Sequence, residues 1–197
     1  SFKTRWRKGH ILMIVTVVDI ETTFDKNRNV VSSPFFGDDL VYIGWFSFDT
    51  DSSETERLGV FFNHNQKEPE ENGHKIVQDT LEGTDILVGH NIKFDLTWMR
   101  ECNFKYNGDI FDTMVAEYLL SRGEKKQLSL KECCARRNLD TKRTDLIQEY
   151  LDRGLSYQDI NPQLVKEYCD ADVEITKQLA DSQLVDMKTN WKEYIYA

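Results

Sequence analysis

"VTVVDIETTF", residues 15–24, opens as a β-strand and ends in acid. Val15, Val17 and Val18 are the β-branched residues that suit a strand packed on both faces. Asp19 and Glu21 follow, with one residue between them. Side chains alternate along a strand, so the two acids share a face about 7 Å apart at the backbone, and Ile20 points the other way. Burying an unpaired carboxylate is costly, so two on one face need a partner from elsewhere in the chain. They also fall at the carboxyl end of the strand, where open α/β sheets commonly bind ligands.

Outward from this strand, residues 40–49 ("LVYIGWFSFD") and 56–63 ("ERLGVFFN") are rich in aromatic and β-branched residues and read as two further strands. The intervening 25–39 carries turn residues and reads as a loop. A helix is expected at 74–83, a short buried strand at 85–91 ("DILVGHN"), a helix at 93–102 and another short strand at 108–113 ("GDIFDT"). Beyond that the pattern is helical, at 114–123, 129–138, 145–154 and over a long segment, 161–188. Asn161 followed by Pro162 is a good cap and first-turn pair for the last of these. The expected fold is α/β: a mixed five-stranded sheet, three antiparallel strands and then parallel ones, flanked by helices.

The 197 residues suit one domain with a sizeable core. Residues 1–12 read as a basic N-terminal extension or an expression remnant, 13–188 as the domain, and 189–197 as a C-terminal tail. No apolar run approaches the roughly 18 residues of a membrane span, so no membrane partner is expected. "ILMIVTVV" (11–18) has basic residues upstream but lacks a small-residue cleavage site and passes straight into Asp19, which argues against a secretory signal. Cys102, Cys133, Cys134 and Cys169 form neither a CxxC pair nor a zinc-type Cys/His spacing. Reduced thiols in a cytoplasmic protein are the expectation. A formal net charge of −9 runs against nucleic-acid binding. Lys125–Lys126, Arg136–Arg137 and Lys142–Arg143 break that trend locally.

Two further segments supply inward acids. In "HNIKFD" (90–95) the strand ends at Asn91 and Asp95 lies just inside the next helix. In "EYCDADVEI" (167–175) Tyr168 and Asp172 are four apart on one helical face, which Leu164, Ile175 and Leu179 approximately share. Asp172 is thus inward among apolar neighbours, whereas Glu167, Asp170 and Glu174 read as solvated. Asp19, Glu21, Asp95 and Asp172 together carry four negative charges, and the single cation in these short motifs, Lys93, is too few to offset them. Two divalent cations would, with oxygen ligation suited to Mg²⁺ or Mn²⁺. Two such ions roughly 3.5–4 Å apart serve in-line phosphodiester cleavage.

"DIE" (19–21), "NIKFD" (91–95) and "YCDAD" (168–172) match, in order and type, the DxE, Nx(2–3)(F/Y)D and YxxxD motifs of the DEDD superfamily of exonucleases. The likeness spans about residues 13–185. Each motif alone is frequent by chance; three in order are not. One subfamily places His five residues before the last Asp and the other Tyr four before it. Here those positions hold Glu167 and Tyr168, so the chain resembles the tyrosine type, which includes ribonuclease D and the proofreading domains of family A DNA polymerases. The nearest likeness is to the proofreading domain, phage-encoded polymerases included.

The resemblance implies a ribonuclease H-like fold and catalytic roles for Asp19, Glu21, Asp95, Tyr168 and Asp172. Asp19, Glu21 and Asp172 would hold one metal beside the attacking water, Asp19 and Asp95 the second, and Tyr168 would orient the water. Thr22 and Asn91 would bind substrate near the terminal nucleotide. Asp112 is expected to be structural. Asp25 stands where polymerase-type domains carry an apolar residue against the terminal base, and Phe24 is the candidate to replace it. The implied activity is 3′–5′ hydrolysis of single-stranded DNA to nucleoside 5′-monophosphates, as in proofreading during DNA replication, with the 122–143 basic stretch meeting substrate charge. A polymerase domain or replication proteins would be its partners. Two readings stay beside it: a ribonuclease D-like exoribonuclease, and a catalytically idle domain kept for structure or partner binding. Ribonuclease D-type enzymes commonly add a helical RNA-binding domain for which this chain has no room, so DNA is the expectation.

Overall fold

The computed structural model describes residues 6–7, 10–11, 13–25, 28, 31–140, 145 and 147–194. β1 (Trp6–Arg7) and β2 (His10–Ile11) pair in a small antiparallel ladder. The main sheet is built around β3 (Ile14–Thr22), every residue of which but Asp19 is buried. β4 (Leu40–Asp49) pairs antiparallel with β3, and β5 (Thr55–Phe61) antiparallel with β4. On the other side β6 (Ile86–Gly89) and β7 (Asp109–Asp112) run parallel to β3. The spatial order is β5–β4–β3–β6–β7, the mixed sheet the sequence leads one to expect.

The alternation along β3 sorts the two faces. Val18 and Ile20 enter a core shared with Val77 and Leu81 of α1 (Gly73–Gly83) and Trp98 and Met99 of α2 (Lys93–Glu101). Val15 and Val17 face the opposite core, formed with Val165, Cys169 and Val173 of the long helix. α3 (Thr113–Leu120), α4 (Leu130–Arg136) and α5 (Gln148–Asp152) precede that helix, α6 (Pro162–Asp186). The Asn161 side chain accepts from the Gln163 amide and Pro162 fills the first turn, as expected. Each fully buried Val or Leu on α6 contributes about 1.5–3 kcal/mol relative to exposure, which holds the helix firmly on β3 and β4.

Some short elements carry no periodic signal. The loop after β3 contains a 3-10 turn, Pro34–Phe36, capped by Ser33. A second, Tyr157–Asp159, joins α5 to α6. Past residue 188 the chain still packs: α7 (Trp191–Tyr194) sets the Trp191 ring edge-on to Phe48 and Phe111, and its indole donates to Asp181. Among the described residues no helix is long and apolar enough to cross a membrane.

Candidate active site

β3 and β4 pair regularly as far as Glu21 opposite Tyr42, and the register then slips between Glu21 and Thr22. An irregularity of this kind ends regular pairing and turns the chain beside a site. Up to that point the alternation is intact, so Asp19 and Glu21 share the face toward α6. Asp19 is half-buried, whereas Glu21 is 5% exposed.

Gly44 lies opposite Asp19 across the ladder. A methyl group there would sit 2.6 Å from the Cys169 sulfur, so the missing side chain is what lets α6 approach β3. The Cys169 thiol donates to the Asp19 carbonyl at 3.5 Å. This approach brings in Tyr168 and Asp172, both buried. Ligand atoms of Asp19, Glu21 and Cys169 all lie within 4.8 Å of one another. Burial, and then the charges of Asp19, Glu21, Asp172 and Asp170, push the Cys169 thiol well above its ordinary range. Three of the expected ligands, Asp19, Glu21 and Asp172, are thus near enough to Cys169 for their charges to act on it.

Asp95 arrives from the other face. β6 pairs with β3 over Val15–Val17, and the Ile20 amide lies beyond that ladder. The Ile20 backbone lies close enough to favour the ionised Asp95 carboxylate, which puts the first turn of α2 beside the acidic end of β3. Burial, then the neighbouring Asp19 charge, raise Asp95 well above the usual carboxylate range. Four carboxylates from three separate segments thus meet at the carboxyl end of β3.

The other expected residues are placed as follows. Thr22 is buried and its hydroxyl donates to Ser32 at 2.8 Å. Asn91 is exposed, with a left-handed φ of 59° that Asn tolerates better than most residues, and its amide donates to Asp112. Asp112 also accepts from Met114 and Val115, so it caps α3 as a structural residue. Asp25 is exposed and paired with Arg28, while Phe24 is half-buried against Tyr157.

The basic stretch needs correction. Arg136 and Arg137 both bind Glu117, a 6% exposed acid on α3, and Arg137 also binds Asp186. They are committed to neutralising buried and neighbouring acids and do not wait for substrate. Lys126 pairs with Glu124, and Lys142–Arg143 lie outside the described residues.

Three neighbours of the site had no motif to announce them. Gly44 and Cys169 are a contact across 125 positions of sequence. Tyr157 lies with its ring centroid 6.0 Å from that of Tyr168. The pattern Ser156-x-x-Asp159 is the one visible trace of the turn that places Tyr157, since it is a capping box.

Residues 60–187 match the family model described as 3′–5′ exonuclease. The chain belongs to this family. Its three motifs are those of the tyrosine-type DEDD exonucleases. No curated protein matches the exonuclease in sequence. Among solved structures it is similar to one described as the apo form of a nuclease, at 14% identity and TM-score 0.53, over 88% of this chain and 74% of that one. It is similar to Brucella melitensis NrnC with bound Mg²⁺ at 17% identity and TM-score 0.48, over 90% and 77%. A further match is to Pol1 from M. smegmatis in complex with DNA primer-template and dNTP, at 14% identity and TM-score 0.41, over 90% and 24%. The first of these supports the fold, a ribonuclease H-like mixed sheet with flanking helices.

The donor set fits hard divalent cations. Asp19, Glu21, Asp95 and Asp172 offer carboxylate oxygens in a site where Asp95 is already strained by the Asp19 charge. The Cys169 sulfur sits beside them, but a thiol held protonated is a poor ligand for Mg²⁺ or Mn²⁺. It serves as packing between α6 and β3.

Proposed function

We propose that this exonuclease removes nucleoside 5′-monophosphates from the 3′ end of single-stranded DNA with two divalent cations, Mg²⁺ or Mn²⁺, held by its four carboxylates. The observation that carries the reading is the convergence of Asp19, Glu21, Asp95 and Asp172 beside Tyr168 at the carboxyl end of β3. DNA is favoured by the match to the exonuclease family of family A DNA polymerases. In a longer assembly the natural partner would be a polymerase domain or another replication protein.

Asp19, Glu21 and Asp172 would hold one cation, and Asp19 with Asp95 the other. When bound, such ions supply charge to the phosphate and make water a stronger nucleophile near neutral pH. The chain's own contribution is placement. The Tyr168 hydroxyl orients the attacking water, whose oxygen forms a bond to phosphorus as the bond to the 3′ oxygen breaks. The Ile20 backbone lies beside the Asp95 carboxylate at the start of α2. Thr22 and Asn91 flank the position of the terminal nucleotide. Recognition through phosphate and sugar carries little base preference.

The test is a 5′-labelled single-stranded DNA oligonucleotide incubated with Mg²⁺, Mn²⁺ or EDTA, beside the matching RNA and an Asp19→Ala control. A metal-dependent ladder shortening from the 3′ end and absent in the control is expected. Faster loss of the RNA would move the substrate assignment to RNA, and intact oligonucleotides in every metal would overturn the nuclease reading.

A further inference from the structure

Tyr157 stands out because its surroundings fix it in place without using it for packing alone. Its one-turn helix, Tyr157–Asp159, closes on itself through the Ser156 and Asp159 capping box. The Ser156 hydroxyl accepts from the Phe24 amide at 3.2 Å, which ties the turn to the chain three residues past Glu21. From the far side the Asn65 amide donates to the Gln158 carbonyl at 3.0 Å, the Asn65 side chain to Asp159 at 2.6 Å, and Gln66 to the Asp159 carbonyl at 3.1 Å. A turn held from both sides has little freedom to relocate its side chain.

Within this clamp the Tyr157 ring lies between Phe24, edge-on at 6.3 Å, and Tyr168, tilted 33° at 6.0 Å. Phenylalanine would satisfy both ring contacts. The hydroxyl has a different destination. It lies within electrostatic reach of Glu21, of Tyr168 and of Asp19. A tyrosine carries its proton at neutral pH, so it is able to donate.

We propose that Tyr157 is a positioning residue: it donates to the Tyr168 hydroxyl and thereby fixes the direction in which Tyr168 presents its own proton to the attacking water. A phenol oxygen that accepts from one side directs its single proton away from that bond. The pair works as a relay of orientation, with no proton transferred. The inference rests on the exonuclease reading of the site, and its test separates the two.

The first arm needs neither metal nor activity. Protein labelled with ¹³C at the tyrosine ζ carbon is compared with Tyr157→Phe in EDTA, the Tyr168 resonance being the one lost in Tyr168→Phe. A changed Tyr168 resonance is expected, because the ζ carbon reports the hydrogen bonding of its oxygen. An unchanged one overturns the proposal. The second arm measures steady-state cleavage of a DNA oligonucleotide. Tyr157→Phe should lower kcat about tenfold, the worth of one good hydrogen bond, with KM within about twofold of wild type. The Tyr157→Phe/Tyr168→Phe protein should be no slower than Tyr168→Phe alone. Independent, multiplying losses would overturn it. Should wild-type protein cleave nothing, the nuclease reading falls, and the resonance still decides whether Tyr157 orients Tyr168.

Discussion

The long helix α6 serves two buried acidic centres, and they are opposites. Near its start, Tyr168, Cys169 and Asp172 join Asp19, Glu21 and Asp95. Near its end, Gln183 donates to Glu117 at 3.0 Å, and Arg136 and Arg137 bind the same carboxylate at 3.2 and 3.0 Å. Burial acts on both centres in the same direction, but the neighbours do not. At Glu117 burial alone would raise the carboxyl, yet Gln183, Arg137 and Arg136 outweigh it and hold it below the usual range. At Asp95 the Asp19 charge adds to burial, and the carboxyl is driven up. A buried charge is tolerable when its surroundings are complete, and Glu117 is completed from within the chain. The other centre gathers like charges on purpose, which suits a cation arriving from outside.

The strongest way to break this contrast is to remove an acid from the first centre. Asp19→Ala should cost about 10⁴ in cleavage rate, some 5.5 kcal/mol, because the charge it anchors acts on the reacting phosphate. Stability without metal should change little, since losing the Asp19–Asp95 repulsion offsets the contacts Asp19 gives up. Wild-type protein should gain thermal stability with added Mn²⁺, by about 2.7 kcal/mol at a hundred times the dissociation constant. That gain should vanish in the variant. Melting curves in EDTA and in Mn²⁺ check both halves; an Asp19→Ala protein much less stable in EDTA would mean the acids hold the fold and not a metal.

Glu117→Ala should show the reverse. It takes the shared carboxylate from two guanidinium groups, leaving Arg137 with Asp186 and Ser182 and Arg136 with the Gln127 carbonyl, and should cost about 3 kcal/mol of stability, with cleavage per folded molecule retained. Its pH dependence has a definite sign. The folded-state value lies below the ordinary 4.5, so the contribution is present in full above pH 4.5 and is lost as pH falls through the lowered folded value. The stability gap between wild type and Glu117→Ala should therefore close in acid. A gap that widened below pH 4 would show that the network does not stabilise the ionised carboxyl.

These two centres also differ in how far the sequence exposes them. Asp19 and Glu21 are readable because a strand has period two, and Tyr168 and Asp172 because a helix brings residues four apart together. Asp95 follows from a strand that stops where a helix starts. Local periodicity and motif order therefore yield the sheet and the carboxylates at once. Arg136 and Arg137 mislead for the same reason: side by side they look like a surface for phosphate, and their partner Glu117 stands on another helix. Gly44, Cys169 and Tyr157 belong to contacts made by strand register and helix docking, which no short window of sequence contains.

Gly44→Ala tests how finely that docking is set. The new methyl would fall 2.6 Å from the Cys169 sulfur, and overpacking of this kind costs about 1–3 kcal/mol. α6 should shift away from β3, so cleavage should fall as well, unlike in Glu117→Ala. Cys169→Ala opens space for the methyl, and the Gly44→Ala/Cys169→Ala protein should recover part of both losses. A double variant as damaged as the sum of the singles would place the strain elsewhere, in Tyr42, whose ring carbon would lie 3.1 Å from the same methyl.

The smallest effect belongs to an acid on α6 itself, outside both centres. Glu174 is partly exposed and pairs with Arg57 of β5, whose guanidinium also lies over the Phe46 ring at 5.3 Å. Water reaches both partners, so the pair gains little Coulomb energy and gives up side-chain freedom. Glu174→Gln should change stability by about 0.5 kcal/mol, less in high salt, and leave cleavage untouched. A loss as large as that of Glu117→Ala would mean that exposure does not rank the acids packed around α6, and the contrast between its two ends would then have to rest on geometry instead of on solvent and neighbouring charge.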